Sequence, residues 1–573
     1  MLDTLPRTGT RLQTLPGTGG ALPAARAAAP VPPDPAVFAD AVARYQALAV
    51  LAKFRLRLYE CLAMRADALF ELVDAVLCAD HAVTSLVQLS LVPEFRRGHG
   101  ALYDALAAGR IDEEKLAALL TATLPQLVDG DEGRGWTAGH DVIDCALLER
   151  ALAGVPAQDA ARVRDACARW RRLRFAVDAT AYPRPDAGCS PGRGHVHNGA
   201  CHCKDSSKTV PGWEYQFVAA VGHLRTAWAA LIDAERTAPA TRTDQTIRQV
   251  RNVLRRLHAA GNAGRAAPLF IFDAGYSAAA LTAGLLGCPV HILVRLPAGS
   301  VFYRGALTWP GKNGRPGHRG PAIHCPGPAD FAAAGPGPRG RKKPLPPNPE
   351  PDETLLLPDT PRYGTVRAEA WHDVHPLIHG DRGWFKDHWH EKGMPVLRGT
   401  LIHVTVDRLP DGRAPGKAMW LWHAGPGPLS CDELWRAYLA RFDIEHAFKL
   451  AKGTLGLTAA KVRTPGQADR WVRLVMAACA QLLIARPLAA DLRRPWEKRP
   501  DPARPLPPGR VRRGFANIRP RLGTPAHVAK PTRSGPGRPQ GSRTGPAPRY
   551  PLPNETTTTG KADTSANRQE VKT

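Results

Sequence analysis

The residues best placed to do chemistry are two aspartates set among apolar runs and a glutamate surrounded by cations. Asp178 lies within LRFAVDATAY, with apolar residues on both sides, so it belongs inside a strand and not at a solvated end. A carboxylate in that setting is costly unless a cation or hydrogen-bond donors neutralise it. Asp273 follows four apolar residues, Leu269 to Phe272, and precedes Ala274-Gly275-Tyr276. That order puts it at the C-terminal end of a buried strand, where open α/β sheets gather their chemistry. Either aspartate alone fits a structural turn or cap equally well. The third group is Tyr438, Arg441, Glu445 and Lys452, spaced three, four and seven apart, which on one helix share a face. A solvated, salt-bridged face is the commoner origin of such a pattern. Against it stand the apolar Trp435, Leu439, Phe442, Ala447 and Phe448 on the rest of that helix, and the additional bases Arg436 and Lys449.

The elements that must position these residues follow from the hydrophobic pattern. Apolar residues recur at three and four spacings from Ala36 to about Arg172, as in FADAVARYQALAVLAKFRLRLYECL, which predicts helices. Strands and helices then mix. LRFAVDATAY and WEYQFVAAV read as strands, DQTIRQVRNVLRRLHAAG as a helix, PLFIFDAGY as a strand, SAAALTAGLLG as a helix and VHILVRL as a strand. Pro, Gly and basic residues crowd 310–350, followed by the strand-like VLRGTLIHVTV and AMWLWHA. Helical pattern resumes in LSCDELWRAYLARFDIEHAFKLAKG and QADRWVRLVMAACAQLLIAR. From Asp491 to Thr573 there are 18 Lys plus Arg against 6 Asp plus Glu in a Pro-, Gly- and Thr-rich background, which predicts a disordered basic tail.

Tyr438-x2-Arg441-x3-Glu445-x6-Lys452 resembles the Y-R-E-K signature of bacterial insertion-sequence transposases with a DDE active site. The first two acids of that family lie in a strand like AVDATAY and in a D-x-G-Y segment, here Asp178 and Asp273-Ala274-Gly275-Tyr276, and the gaps of 95 and 172 residues suit a β-rich insertion before the acidic helix. The resemblance covers roughly Phe175 to Ala485. It implies an α/β, ribonuclease-H-like catalytic core with Asp178, Asp273 and Glu445 as catalytic residues and metal ligands. It implies two Mg²⁺ (or Mn²⁺) that serve an in-line displacement, with Tyr438, Arg441 and Lys452 holding the DNA. The implied function is cut-and-paste transposition at insertion-sequence ends, by a homodimer on double-stranded DNA (terminal inverted repeats and target DNA), in a bacterial cytoplasm at the nucleoid. The expected organisation is a disordered segment 1–35, a helical DNA-binding region 36–170, core residues 171–300, a β-rich insertion 301–428, C-terminal core helices 429–488, and the tail 489–573. A ribonuclease-H-like nuclease without strand transfer, or a domesticated DNA-binding protein, are the alternatives.

Composition agrees with a polyanionic partner. The 573 residues carry 77 Lys plus Arg against 52 Asp plus Glu, a net charge of +25, which draws nucleic acid or an acidic surface. An abundance of Ala, Gly, Pro and Arg also follows from GC-rich coding. Eleven cysteines without a regular framework fit a reducing compartment. The N-terminus has no apolar core of a signal peptide, and the most apolar run, Val472 to Ala485, reads as a buried helix and not a membrane span. Cys189, His195, His197, Cys201, His202 and Cys203 are soft ligands close together, but their spacing fits no common zinc finger, and a Gly-rich loop is the plainer reading. Trp371, Trp384, Trp389, Trp420 and Trp422 could stack on a flipped base or simply pack a β region. RRGHGALYDALAAGRIDEEKLAALL has a helix–turn–helix look, with Arg96, Arg97 and Arg110 available for phosphate. Pro536-Gly537-Arg538-Pro539 is similar to a minor-groove hook.

Overall fold

The computed structural model describes residues 35–124, 153–154, 156, 172–197, 209–222, 228–238, 241–262, 266–305, 319–326, 347–380, 383–390, 395–415, 419–500, 506–530, 537, 539–543 and 545–552. Contacts divide the chain into Met1–Val42, described only in the opening of the first helix, and Ala43–Thr573, which holds all that follows. The expected disordered segment 1–35 lies almost wholly outside the described residues.

Three parallel strands form the middle of the sheet: β3 (Arg174–Pro183), β7 (Leu269–Phe272) and β8 (His291–Arg295). Their apolar runs Phe175–Val177, Leu269–Phe272 and Ile292–Val294 are buried on both faces, as strands covered by helices on either side must be. On one side β3 pairs antiparallel with β5 (Thr209–Ala220), which pairs with β4 (Gly194–His197) and β6 (Ala230–Thr237). On the other side β8 pairs antiparallel with β14 (Met419–Ala424), and the sheet continues through β13 (Gly399–Val406) and β12 (Gly364–Pro376) to β9 (Val301–Tyr303) and β10 (Ala322–His324). β11 (Glu353–Thr360) also joins β12. The strands of residues 301–428 therefore extend one mixed sheet of twelve strands among the described residues.

Among the described residues the helices before β3 are α1 (Pro35–Glu60), α2 (Ala66–Cys78), α3 (Leu86–Leu89), α4 (His99–Ala108) and α5 (Glu113–Ala122), with the short pair β1 (Leu62–Met64) and β2 (Arg110–Ile111) between them. Asp112 caps α5, accepting from the Lys115 amide, and Glu113 and Glu114 favour the same end of the helix dipole. α6 (Arg242–Leu257) buries Ile247, Val250, Val253 and Leu257, a three- and four-spaced stripe. It lies so close to α7 (Ala278–Gly284) that a Cβ on Gly284 would stand 2.2 Å from Ile247 Cδ1. α8 (Gly383–His388) packs Phe385 beside α7. α9 (Cys431–Ala440), α10 (Asp443–Gly453) and α11 (Pro465–Ala485) follow. A capping box between Thr464 and Gln467, with Pro465 at the first helical position, starts α11. By length and composition α11 could cross a membrane, but Trp471, Val472, Val475, Leu482 and Ile484 are buried in the common core.

Two expectations are corrected. The disordered tail of residues 489–573 instead contains α12 (Pro508–Ile518), whose Val511, Phe515 and Ile518 are buried against α2 and α11. Their spacing of four and three makes one apolar stripe, enough to dock a helix on a ready surface despite the polar background. Residues 553–573 lie outside the described residues. Nor are Arg96 and Arg97 free for phosphate. Arg96 bonds Glu71 at 2.9 Å and the Ala526 carbonyl at 3.0 Å, and Arg97 bonds the His527 carbonyl at 2.8 Å. The buried Glu71 and the returning C-terminal segment have taken these guanidiniums. All seven cysteines recorded among the described residues are free.

Candidate active site

Strand register brings the first two acids together. Val177 pairs with Phe272, and Phe272 with Val294, so the next row across the three parallel strands is Asp178, Asp273, Arg295. Neighbouring strands stand about 4.8 Å apart and in-register side chains leave the same face. β3 runs on to Pro183 where β7 stops at Phe272, so Asp178 lies inside a strand and Asp273 immediately past the end of one. Asp273 Oδ1 accepts from the Gly275 amide at 2.9 Å, which fixes its rotamer at the head of the turn into α7. Asp178 Oδ1 accepts from the Ala179 amide at 2.8 Å.

Glu445 reaches this row through Arg441. The Arg441 guanidinium donates from Nη1 to Asp178 Oδ2 at 3.0 Å and from Nη2 to Glu445 Oε1 at 3.1 Å. The Arg441 side chain is 8% exposed, Asp178 19% and Glu445 53%, so the arrangement opens outward at Glu445. Burial pushes the Asp178 carboxyl up to about 6, Arg441 opposes the shift, and Asp273 adds to it. Lys452 is held below its usual value by burial, an effect Asp178 partly offsets, so it too belongs to the cluster.

The four signature positions do not share one helix, which corrects the single-face expectation. α9 ends at Ala440 and α10 begins at Asp443, with Arg441 and Phe442 at the junction. Asp443 Oδ2 accepts from the Gly222 amide at 3.2 Å and ties α10 to the end of β5. Gly222 has φ 70°, and a Cβ there would lie 2.9 Å from Ala440 Cβ, so the approach needs glycine. Tyr438 is 1% exposed, packed against Phe442 and beneath Arg441, and is not a surface residue.

Two residues near the acids carried no expected role. Tyr276 of the D-x-G-Y segment donates to Gln216 Oε1 at 2.9 Å, and Gln216, fully buried on β5, also bonds Gln249 at 2.7 Å and Thr246 at 3.1 Å. Burial, then Asp178 and Asp273, raise the Tyr276 phenol well above its ordinary value, which keeps it a neutral donor. Arg295 completes the acid row. Its signal was available: three apolar runs, Phe175–Val177, Leu269–Phe272 and Ile292–Val294, each end in a charged residue.

The tryptophans divide. Trp371, Trp420 and Trp422 are buried, with Trp371 and Trp420 stacked at 5.8 Å and Trp422 donating to Thr282 at 3.0 Å, so none of the three presents a face for stacking. Trp384 is part-buried, stacked on His388 at 4.5 Å and bonded to Asp244 at 2.7 Å, and Trp389 is also part-buried. Of the soft ligands, Cys189 faces the Ala547 carbonyl, His195 and His197 lie exposed on β4, and Cys201, His202 and Cys203 are outside the described residues. Pro536 and Arg538 are outside them as well.

Among the described residues no three His, Cys, Asp or Glu side chains form a ready metal cage. The donor chemistry of the acid row still fits a hard divalent cation: two adjacent carboxylates, oxygen donors only, and a third carboxylate linked through one guanidinium.

A family model described as DDE superfamily endonuclease matches residues 57–144 and 138–376, more than half of the chain. That span contains Asp178, Asp273 and Arg295 and stops before α9 and α10. Among solved structures, the chain is similar to one described as a cryo-EM structure of piggyBac transposase in a synaptic complex with hairpin DNA. The identity is 10% and the TM-score 0.32, over 83% of this chain and 73% of that one. No curated protein matches the chain.

Proposed function

This chain belongs to the DDE superfamily endonucleases, and from that premise we propose that it is a transposase that cleaves and transfers DNA strands at insertion-sequence ends. The observation that carries the reading is the adjacency of Asp178, on β3, and Asp273, immediately past the end of the parallel β7, with Glu445 joined to Asp178 by one guanidinium. The order β6-β5-β3-β7-β8, three antiparallel strands followed by two parallel ones, supports a ribonuclease-H-like core.

In this reading Asp178, Asp273 and Glu445 hold two Mg²⁺ or Mn²⁺. When bound, those ions supply Lewis-acid chemistry, activating the attacking oxygen and neutralising the leaving one in an in-line displacement. Asp273, fixed by the Gly275 amide, serves as a ready ligand. Asp178 and Glu445 are presented by Arg441, whose charge also draws the DNA backbone, and Lys452 adds a second cation beside Asp178. Tyr438, being buried, acts by supporting Arg441 unless DNA uncovers it. Water attack frees a 3′ hydroxyl at the element end, and that hydroxyl then attacks a second phosphodiester, on the opposite strand or in target DNA. Two ends are joined in such a reaction, so the working form is a dimer on double-stranded DNA, in a bacterial cytoplasm.

The test is a set of single-turnover cleavage assays on a duplex carrying the DNA that flanks the reading frame. Asp178→Asn, Asp273→Asn and Glu445→Gln are each expected to lower the Mg²⁺-dependent rate by roughly 10³-fold or more, while duplex binding persists. Full activity in any one variant removes that residue from the site.

A further inference from the structure

Gln216 is a fully buried amide on β5 that takes no part in the acid row, yet its side chain is engaged at both ends. Its Oε1 accepts from the Tyr276 hydroxyl at 2.9 Å, with Thr246 Oγ1 3.1 Å away, and its Nε2 donates to Gln249 at 2.7 Å. Gln249 in turn reaches back to the Gln216 main-chain carbonyl at 3.4 Å. Held by two residues of α6, this amide is a fixed point inside the protein.

Its place relative to the acids follows from register. Gln216 stands opposite Ala179, and Phe217 opposite Asp178. Successive residues of a strand leave opposite faces. The Asp178 carboxylate and Phe217 therefore point toward α10, where Phe217 meets Phe448 at 5.3 Å, and Gln216 points to the other face, under α6. Tyr276 reaches that face from beyond the end of β7, its ring 5.2 Å from Phe272. The bond between hydroxyl and amide thus spans the back of β3, behind Asp178. The turn it anchors is otherwise weakly closed: Ala274 and Gly275 are exposed, and the Tyr276 amide meets the Asp273 carbonyl at 3.4 Å. That same turn supplies the Gly275 amide that fixes the Asp273 carboxylate.

We propose that Gln216, through the Tyr276 hydroxyl, is a positioning residue that ties the Asp273 turn across β3 and so sets the spacing of the two aspartates for their cations. The proposal rests on the reading of Asp178 and Asp273 as metal ligands and adds to it the pair of side chains that space them from behind the sheet.

The full chain is tested by Mn²⁺ titration, followed through loss of the free-ion paramagnetic resonance signal, and by cleavage of the flanking-DNA duplex. Tyr276→Phe keeps the ring and removes the donor. It should weaken Mn²⁺ binding about ten-fold and raise the Mn²⁺ concentration for half-maximal cleavage by the same factor. Saturating Mn²⁺ should restore most of the rate, and cation-free duplex binding should not change. Gln216→Leu should do the same, and the double variant should be no weaker than the worse single one, because both remove one bond. Arg519→Ala, which loosens the helical region instead, should lower the urea midpoint and leave Mn²⁺ affinity at the wild-type value. Wild-type Mn²⁺ affinity in Tyr276→Phe, losses that add in the double variant, or an equal loss in Arg519→Ala would overturn the proposal. If the wild type cuts no duplex while Tyr276→Phe still weakens Mn²⁺ binding, the strand-cleavage reading falls and the spacing role stands. A wild type that binds no Mn²⁺ removes both.

Discussion

Two buried clusters in this chain use the same residue types, one closed and one open. In the helical region Asp74, fully buried, accepts from Arg55 at 2.5 and 2.9 Å and from Arg519 at 3.2 Å, and Arg55 also donates to Gln481 at 2.9 Å. One carboxylate there meets two guanidiniums, away from solvent. In the sheet a single buried guanidinium, Arg441, serves Asp178 and Glu445 with Asp273 alongside, and the group opens outward through Glu445. The first cluster is closed and holds α1, α2, α11 and the segment after α12 together. The second stays open at Glu445, and burial raises the carboxyl at its centre, which favours a further cation there. Burial alone does not tell scaffold from site; the opening to solvent does.

That contrast can be broken by substitution. Asp74→Ala strands two guanidiniums and should cost about 3–5 kcal/mol in urea unfolding. Asp178→Asn, the same kind of loss in the open cluster, should move the midpoint by less than about 1 kcal/mol, because a carboxylate pushed up by burial gives little stability when ionised. Similar costs for both would erase the distinction.

The next effect concerns a pair buried without charge. His291 Nδ1 and His423 Nε2 stand 3.0 Å apart in the sheet, and burial pushes His291 down to about 4 and His423 to about 3. Between those values and the ordinary 6.5 the unfolded chain binds more protons. Stability is therefore full above about pH 6.5 and lost as pH falls through that window. Urea midpoints at pH 7, 6 and 5 should fall in that order, and less steeply in His423→Phe; equal slopes in the two proteins would remove the pair as the cause. Within the closed cluster a smaller cost is expected for Arg519→Ala, at about 1–2 kcal/mol, since Arg55 still serves Asp74. A cost as large as that of Asp74→Ala would mean that the two guanidiniums act as one unit.

Much of the sheet was legible because its central strands are unbroken apolar runs, and the acids were legible as the charges that end or interrupt them. Pairing was not. That Asp178 and Asp273 share a row depends on register, which no local pattern states. The division between α9 and α10 was hidden because nothing in Ala440-Arg441-Phe442 breaks a helix; tertiary ties through Asp443 and Gly222 do it. α12 was masked by Pro and Arg around a stripe of three apolar residues. Arg96 and Arg97 looked available because their partner Glu71 is 25 residues from Arg96 and the Ala526 and His527 carbonyls are more than 400 away.

The closure of the helical region by α12 bears on how the chain is made. Arg55 donates to Gln481 and to the Gly523 carbonyl, and Arg512 to the carbonyls of Val76 and His81, so the first helices wait for the last to complete their core. A ribosome must pass α12 before these helices are secured, and a message truncated upstream of Pro508 would release a chain with an unsealed apolar surface. For the same reason the N-terminal helices are not a cassette that recombination could move intact to another gene.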